Sequence, residues 1–339
     1  MRDPRRRAAA SDLAAAASPR RAARDRARRG PAPAHPLPRR RRARSPALPG
    51  PGGLGRVLPF AEYDDAEAST WLAAAVDFAW RPQPASVRDA VPVNATVPAV
   101  PASDAAAVLS RFPGCRTAKV KVAEPGQVLA DDVARVRAVR EALGPEGRVR
   151  VDANGAWNVD EAERAVHALA EFDLEYAEQP CADVAELAEL RRRVKYMGIP
   201  IAADESVRKA SDPLAVARAG AADLLVVKAQ PLGGVARALS IVTEAGLPAV
   251  VSSALDTAVG LGQGAALAAA LPDLEYDCGL GTAALFVDDV ADRLPVDGAL
   301  PVGRVTPDAA ALERLAASDD RTAWWLARLE RCHALLSAP

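Results

Sequence analysis

The sequence predicts an α/β fold, a (β/α) barrel of the TIM type, and three observations lead there. From residue 91 onward, short β-branched or apolar runs recur about every 25 residues. Each run ends in a polar cluster. The stretches between them carry apolar residues at helical spacing. Strand then helix, repeated eight times on this beat, is the pattern of a parallel sheet closed into a barrel.

The strand runs are VPVNATVPA (91–99), AKVKVA (118–123), RVRVDAN (148–154), LEYAEQP (174–180), IPIAADES (199–206), LLVVKAQP (224–231), PAVVSSA (248–254) and LEYDCGL (274–280). Their polar landmarks are Asn94, Lys119, Asp152, Glu178, Asp204, Lys228, Ser253 and Gly279, spaced 25, 33, 26, 26, 24, 25 and 26 residues apart. Helices are expected in VDEAERAVHALAEF (159–172), with Ala162, Val166, Leu169 and Ala170 on one face, and in VAELAELRRRV (184–194), DPLAVARAGA (212–221) and GGVARALSIVTEAG (233–246). Asn158 or Asp160 and the Asp212-Pro213 pair mark starts, and Gly246 marks a stop. GLGQG (260–264) lacks the glycine order of a dinucleotide loop and reads as a helix start after strand seven. TAWWLARLERCHALL (322–336) reads as an amphipathic helix with Trp324 and Trp325 in packing roles; His333 is assigned none.

Half of the 339 residues are hydrophobic and only 4% are aromatic, so the core is built from Ala, Val and Leu. Residues 1–58 hold 16 arginines, no lysine and three acids, whereas the rest of the chain holds 27 basic and 41 acidic side chains. An acidic folded part argues against nucleic acid as a partner. Cys115, Cys181, Cys278 and Cys332 lie 54 to 97 residues apart with only three histidines in the chain. That excludes a zinc ribbon or disulfide framework and suits a reducing cytoplasm. The longest apolar stretch, AVGLGQGAALAAAL (258–271), is shorter than the ~18 residues of a membrane span.

Residues 1–57 are dominated by Arg, Ala, Pro and Gly with no helical or strand period. Such a segment is expected to be disordered. Its composition is that of GC-rich codons read out of frame, so a frame-shifted origin is one reading. Patterned sequence is expected to begin at Leu58.

In barrels of this kind the active site sits at the C-terminal ends of the strands. Asp152, Glu178 and Asp204 end three successive runs. Three converging carboxylates repel, and an all-oxygen set without His or Cys points to Mg²⁺. Lys119 and Lys121 alternate on one strand and so share a face. Lys228 stands on the other flank. A lysine near a metal and another lysine has its pKa lowered and can act as a base. Lysines on both sides of a bound carboxylate suit abstraction of the proton α to it.

The set KVK, VDANGAW, EYAEQPC, AADES, VVKAQPLGG, VVSSALDTAVGLG and YDCGLGT resembles the enolase superfamily, muconate-lactonizing subgroup, over residues 58–336. Within it the pattern is most similar to the actinobacterial o-succinylbenzoate synthases of menaquinone biosynthesis. The resemblance implies a modified (β/α)7β barrel with an N-terminal α+β capping domain. It implies a Mg²⁺-dependent lyase acting on a small-molecule carboxylate, by syn dehydration of 2-succinyl-6-hydroxy-2,4-cyclohexadiene-1-carboxylate. Asp152, Glu178 and Asp204 would ligate the metal, Lys121 would be the base, Lys119 would tune it, and Lys228 would stabilise the enediolate. Asn154, Ser253, Gly279 and Gly281 would contact substrate, with Asn154 and Glu205 supporting the inner groups.

The chain departs from the family at its start. Residues 58–90 resemble only the end of the cap, 91–290 the barrel, and 291–339 a C-terminal segment packing back on the cap. Arg56 stands where an acid is expected, and the cap is expected to lack its first strands and closing loop. Alternatives on the same rim are an N-acylamino acid racemase, a dipeptide epimerase or a muconate cycloisomerase. From another class, an inactive barrel with a basic nucleic-acid-binding tail is the competing reading. Neither a monomer nor a homo-oligomer is favoured.

Overall fold

The computed structural model describes residues 47–337, apart from 52, 58, 209–211 and 293. Most of the Arg-rich segment, residues 1–46, therefore lies outside the described residues, and with it most of the expected disorder.

The chain is ordered earlier than Leu58, which corrects the expected start of patterned sequence. β1 (Ala47–Gly50) pairs antiparallel with β2 (Gly53–Arg56), with Ala47 opposite Arg56. The hairpin lies flat on α1 (Asp65–Trp80) because two of its glycines have no side chain. A Cβ on Gly55 would stand 2.0 Å from the Ala75 carbonyl oxygen, and one on Gly50 would stand 2.5 Å from that of Ala79. Asp64 caps α1 by accepting from the Glu67 N–H at 2.8 Å, a contact worth about 1 kcal/mol. The buried side of α1 gives Ala68, Trp71, Leu72 and Ala75 to a small core shared with Val57, Tyr63 and Cys332.

β3 (Ala90–Pro92) and β4 (Ala95–Val97) divide the run expected as strand one. β3 leaves the barrel to pair antiparallel with β11 (Ala299–Pro301), whereas β4 pairs parallel with β5 (Thr117–Lys121). Pro92 has no N–H to give a ladder, and its carbonyl accepts from Cys278 N–H at 2.7 Å. After α2 (Ala105–Leu109) the alternation is regular. It runs β5 (Thr117–Lys121), α3 (Leu129–Leu143), β6 (Arg148–Asp152), α4 (Val159–Leu169), β7 (Leu174–Glu178), α5 (Val184–Val194) and β8 (Ile201–Ala203). It continues through α6 (Glu205–Arg208), α7 (Ala215–Arg218), β9 (Leu224–Val227), α8 (Val235–Ala245), β10 (Ala249–Val251) and α9 (Ala258–Ala270). The helix expected over 212–221 shrinks to α7, between Pro213 and Gly220 at φ +57°. α4 opens with a reciprocal capping box between Asn158 and Glu161.

β4 to β10 form one seven-stranded sheet in sequential order. The eighth run is too short to be a strand, yet it closes the sheet. Cys278 bridges Val93 at one edge and Gly279 bridges Ser252 at the other. The outward faces of the strands pack under the helices in one apolar core. Inside, Tyr176, Ala202, Leu224, Val226 and Val250 fill the barrel. β11 (Ala299–Pro301) is followed by α10 (Ala309–Arg314) and α11 (Asp319–Leu336). α11 returns to α1, where Arg331 pairs with Asp65 at 2.6 Å and Arg328 donates to the Phe60 carbonyl at 3.3 Å. Trp325 is buried and Trp324 exposed, as an amphipathic helix requires.

Candidate active site

The rim is assembled by strand register. In β5 and β6, Lys121 stands opposite Asp152, and Asp152 in turn stands opposite Glu178 of β7. Asp204 follows β8 directly, and Lys228 follows β9. Strands one pitch apart hold such neighbours ~5 Å apart, so the side chains meet.

Lys119 Nζ donates to Asp152 Oδ2 at 3.0 Å and to Glu178 Oε1 at 2.7 Å. Lys121 Nζ donates to Asp152 Oδ2 at 2.5 Å and to Asn154 Oδ1 at 2.7 Å. Lys228 Nζ is bonded to Asp204 on the opposite flank. The three carboxylates are each at most 1% exposed. Of the three site lysines Lys121 is the most open to solvent, its side chain 30% exposed.

Burial and neighbours set the charges. Burial opposes ionisation of Asp152, but Lys119 and Lys121 outweigh it and hold the carboxyl far below the usual range. Asp204 is held low in the same way by Lys228 and Arg208. Glu178 moves the other way: burial, then the Asp152 charge, push it up to about 7. Burial also opposes the Lys119 charge, yet Asp152 and Glu178 raise its pKa well above the ordinary value. Burial pushes the Lys228 ammonium below its ordinary value. Lys119 is thus a counter-ion to Asp152 and Glu178, and the lowering expected of a site lysine falls on Lys228.

Among the described residues, no three His, Cys, Asp or Glu side chains are gathered closely enough to hold a metal ion as they stand. Lysine ammonium groups take up the carboxylates instead. The donor set nevertheless fits a hard divalent cation. Three buried carboxylates end successive strands, and Glu178 Oε2 is buried without a hydrogen-bond partner, an arrangement costly unless something completes it.

Other expected site residues divide. Asn154 joins the site through Lys121, with its backbone at φ +49° and its N–H donating to Asp152 Oδ1 at 3.0 Å. Ser253 Oγ donates to the Gly279 carbonyl at 2.7 Å and lies 3.0 Å from Thr282 Oγ1. Gly279 and Gly281 are glycines for packing reasons. A Cβ on Gly279 would stand 2.3 Å from Ser252 Oγ, and one on Gly281 would stand 2.9 Å from the Asn94 carbonyl oxygen. Asn94 itself precedes β4, so it sits at the N-terminal end of its strand and not on the rim. It accepts from Arg150 at 3.2 Å in the barrel floor, where the Arg150 guanidinium lies 4.8 Å from the Tyr176 ring centre.

Sequence reasoning passed over Gln179, Arg208, Tyr63 and the partner of Arg56. Gln179 Oε1 accepts from the Asp204 N–H at 2.9 Å and so fixes the end of β8 to that of β7. Arg208 donates to Asp204 at 3.1 Å and to Glu205 at 2.6 Å; the i,i+3 and i,i+4 spacing on α6 was the available signal. Burial lowers the pKa of the Arg56 guanidinium, and its ion pair with Asp256 and the charge of Asp289 work against that shift. An arginine is accommodated there because acids face it.

The model of the enolase C-terminal domain-like family matches residues 102–305. The o-succinylbenzoate synthase of Mycolicibacterium smegmatis is 59% identical over 291 residues, covering 85% of this chain and 89% of that one. The chain belongs to the o-succinylbenzoate synthase family of the enolase superfamily. The family's Mycobacterium leprae member is 58% identical over 85% of both chains. An enolase N-terminal domain-like model matches residues 42–79, in keeping with a cap hairpin that starts before Leu58. Among solved structures, a mandelate racemase/muconate lactonizing family protein from Azoarcus sp. EbN1 aligns with TM-score 0.64 at 25% identity over 76% of each chain. Muconate lactonizing enzyme from Pseudomonas putida aligns with TM-score 0.59 at 26% identity, over 68% of this chain and 67% of that one.

Proposed function

We propose that the chain is an o-succinylbenzoate synthase, dehydrating 2-succinyl-6-hydroxy-2,4-cyclohexadiene-1-carboxylate to 2-succinylbenzoate. The observation that carries this is the placing of Lys121 and Lys228 on opposite flanks of three buried carboxylates. Family identity of 57–59% selects the synthase over the racemase, epimerase and cycloisomerase alternatives.

Asp152, Glu178 and Asp204 would hold Mg²⁺, which enolase-superfamily members typically use. When bound, the cation supplies positive charge where negative charge grows on the substrate carboxylate. Lys119 and Lys121, which pair with Asp152 and Glu178, would exchange those partners for the substrate side of the site, where the Lys121 amine would serve as the base. Neutral Lys121 takes the proton from the ring carbon bearing the carboxylate. The electron pair passes into the carboxylate as an enediolate, which the Lys228 ammonium faces from the other side. The enediolate then collapses, the bond from the ring to the hydroxyl oxygen breaks, and Lys121 returns its proton to that oxygen. Water leaves, the ring becomes aromatic and Lys121 is again neutral. Lys119 remains charged beside the carboxylates. Ser253 and the Gly279–Gly281 backbone would seat the succinyl tail.

Among the described residues no helix is long and apolar enough to cross a membrane. The test is ultraviolet-monitored dehydration of the cyclohexadiene substrate with Mg²⁺ and with excess chelator. Turnover that the chelator abolishes is expected. Absence of turnover with Mg²⁺ bound overturns the assignment.

A further inference from the structure

A chain of hydrogen bonds runs from the cap to the proposed base. Tyr63 sits in the cap core, its ring edge-on to Phe60 at 5.2 Å and tilted against Trp71 at 6.4 Å. Its hydroxyl accepts from Arg208 Nη1 at 2.8 Å. The same guanidinium donates from Nε to Asp204 Oδ1 at 3.1 Å and from Nη2 to Glu205 Oε1 at 2.6 Å. Glu205 Oε1 also accepts from Asn154 Nδ2 at 3.2 Å, and Asn154 Oδ1 accepts from Lys121 Nζ at 2.7 Å.

The donor and acceptor order along this chain has one consistent direction. A carboxylate only accepts, so Glu205 holds the amino end of the Asn154 amide. The amide oxygen must then face Lys121. Remove the pull of Glu205 and the amide is free to turn its donor end toward an ammonium that has nothing to accept with. Arg208 fixes Glu205, and the planar guanidinium fork allows its three contacts only in one orientation. Tyr63 supplies the contact that belongs to the cap. Its main chain is fixed too, since its carbonyl accepts from Arg328 of α11.

We infer that Tyr63, Arg208, Glu205 and Asn154 form a positioning relay through which the seating of the cap sets the place of the Lys121 amine. The four are positioning residues, and the relay rests on the reading of Lys121 as the base. Arg208 also ties the relay to Asp204, so the cap orients a proposed metal ligand and the base through one side chain.

The chain has only five lysines, which makes a direct test practical. Protein labelled with ¹⁵N at the lysine side chains gives at most five signals, and Lys121→Met identifies the one in question. Tyr63→Phe deletes the hydroxyl and keeps the ring packing. The Lys121 signal is expected to move in Tyr63→Phe while that of exposed Lys195 stays in place. In an Asn154→Ala background the same Tyr63→Phe change is expected to leave Lys121 unmoved, because the relay is already cut. Kinetically, Tyr63→Phe is expected to lower kcat about tenfold with KM within about twofold. Arg208→Lys is expected to retain more activity than Arg208→Met. A Lys121 signal indifferent to Tyr63→Phe, or moving equally in both backgrounds, overturns the relay. A wild-type protein that fails to dehydrate the substrate while Lys121 responds as described supports the relay and removes only the substrate assignment.

Discussion

Lys119 donates to Glu178 across 2.7 Å, yet Glu178 is the acid of the rim whose charge is least favoured, its pKa pushed up to about 7 by burial and by Asp152. One ammonium is shared between two carboxylates, and Asp152 has Lys121 as well. The sign of the consequence follows from proton linkage. Between the ordinary glutamate value of ~4.3 and about 7, the folded protein keeps a proton that the unfolded chain has released. Stability should therefore fall as pH rises through this window, by up to about 4 kcal/mol. Urea unfolding in chelator at pH 5 and pH 7.5 measures it, and Glu178→Gln should flatten the difference.

Metal binding should run against the same proton. A carboxylate must be ionised to ligate, so Mn²⁺ affinity, read by calorimetry or electron paramagnetic resonance, should rise from pH 5.5 to pH 7.5. Lys119→Met removes the competing ammonium and the charge balance with it. Its Mn²⁺ affinity should exceed that of the wild type, and equal affinities would mean that the lysine and the metal do not compete for these oxygens.

The two lysine flanks should separate by role. Lys121→Met should lower kcat by about 10³-fold, within the range for loss of a general base. Lys228→Met should cost about 10²-fold to 10³-fold, as for loss of one stabilising charge on the developing anion. Both should still bind Mn²⁺. Exchange of the substrate α-proton with solvent, followed by nuclear magnetic resonance, distinguishes them: Lys121→Met should abolish it.

The barrel was legible because strand ends write polar residues into an apolar beat, and each strand is short enough for one landmark to mark it. Lys119, Lys121, Asp152, Glu178, Asp204 and Lys228 all reached one rim for that reason. The cap hairpin was not legible. Its glycines at 50 and 55 are dictated by the approach of α1, a tertiary cause that leaves no alternation in sequence. Arg56 looked like a misplaced charge because its partner Asp256 is 200 residues away. Asn94 misled for the opposite reason: its spacing suited the rim, but it falls before its strand and serves Arg150 in the floor.

Gly279 offers a test that separates packing from substrate contact. A Cβ there would stand 2.3 Å from Ser252 Oγ, at the bridge that closes the barrel. Gly279→Ala should lower the thermal midpoint by several degrees, in line with about 1–3 kcal/mol for overpacking. Ser253→Ala removes a hydroxyl that donates to the Gly279 carbonyl, and it should cost about 1 kcal/mol of stability. If Ser253 also meets the succinyl tail, its KM should rise by more than that of Gly279→Ala.

Arg56 and Asp256 form a buried pair between the cap hairpin and the loop after β10, with side chains 1% and 7% exposed. Removing one member of such a pair leaves a charge without its counter-ion and typically costs about 3–5 kcal/mol. Arg56→Met should therefore lower the thermal midpoint by roughly 10 °C, given 2–4 °C per kcal/mol for a chain of this size. Arg56→Glu should be worse, since it would face Asp256 and Asp289 together. The double variant Arg56→Met with Asp256→Asn should recover much of the loss, because the stranded charge is gone. Single and double variants with equal midpoints would show that the pair does not hold the hairpin to the barrel.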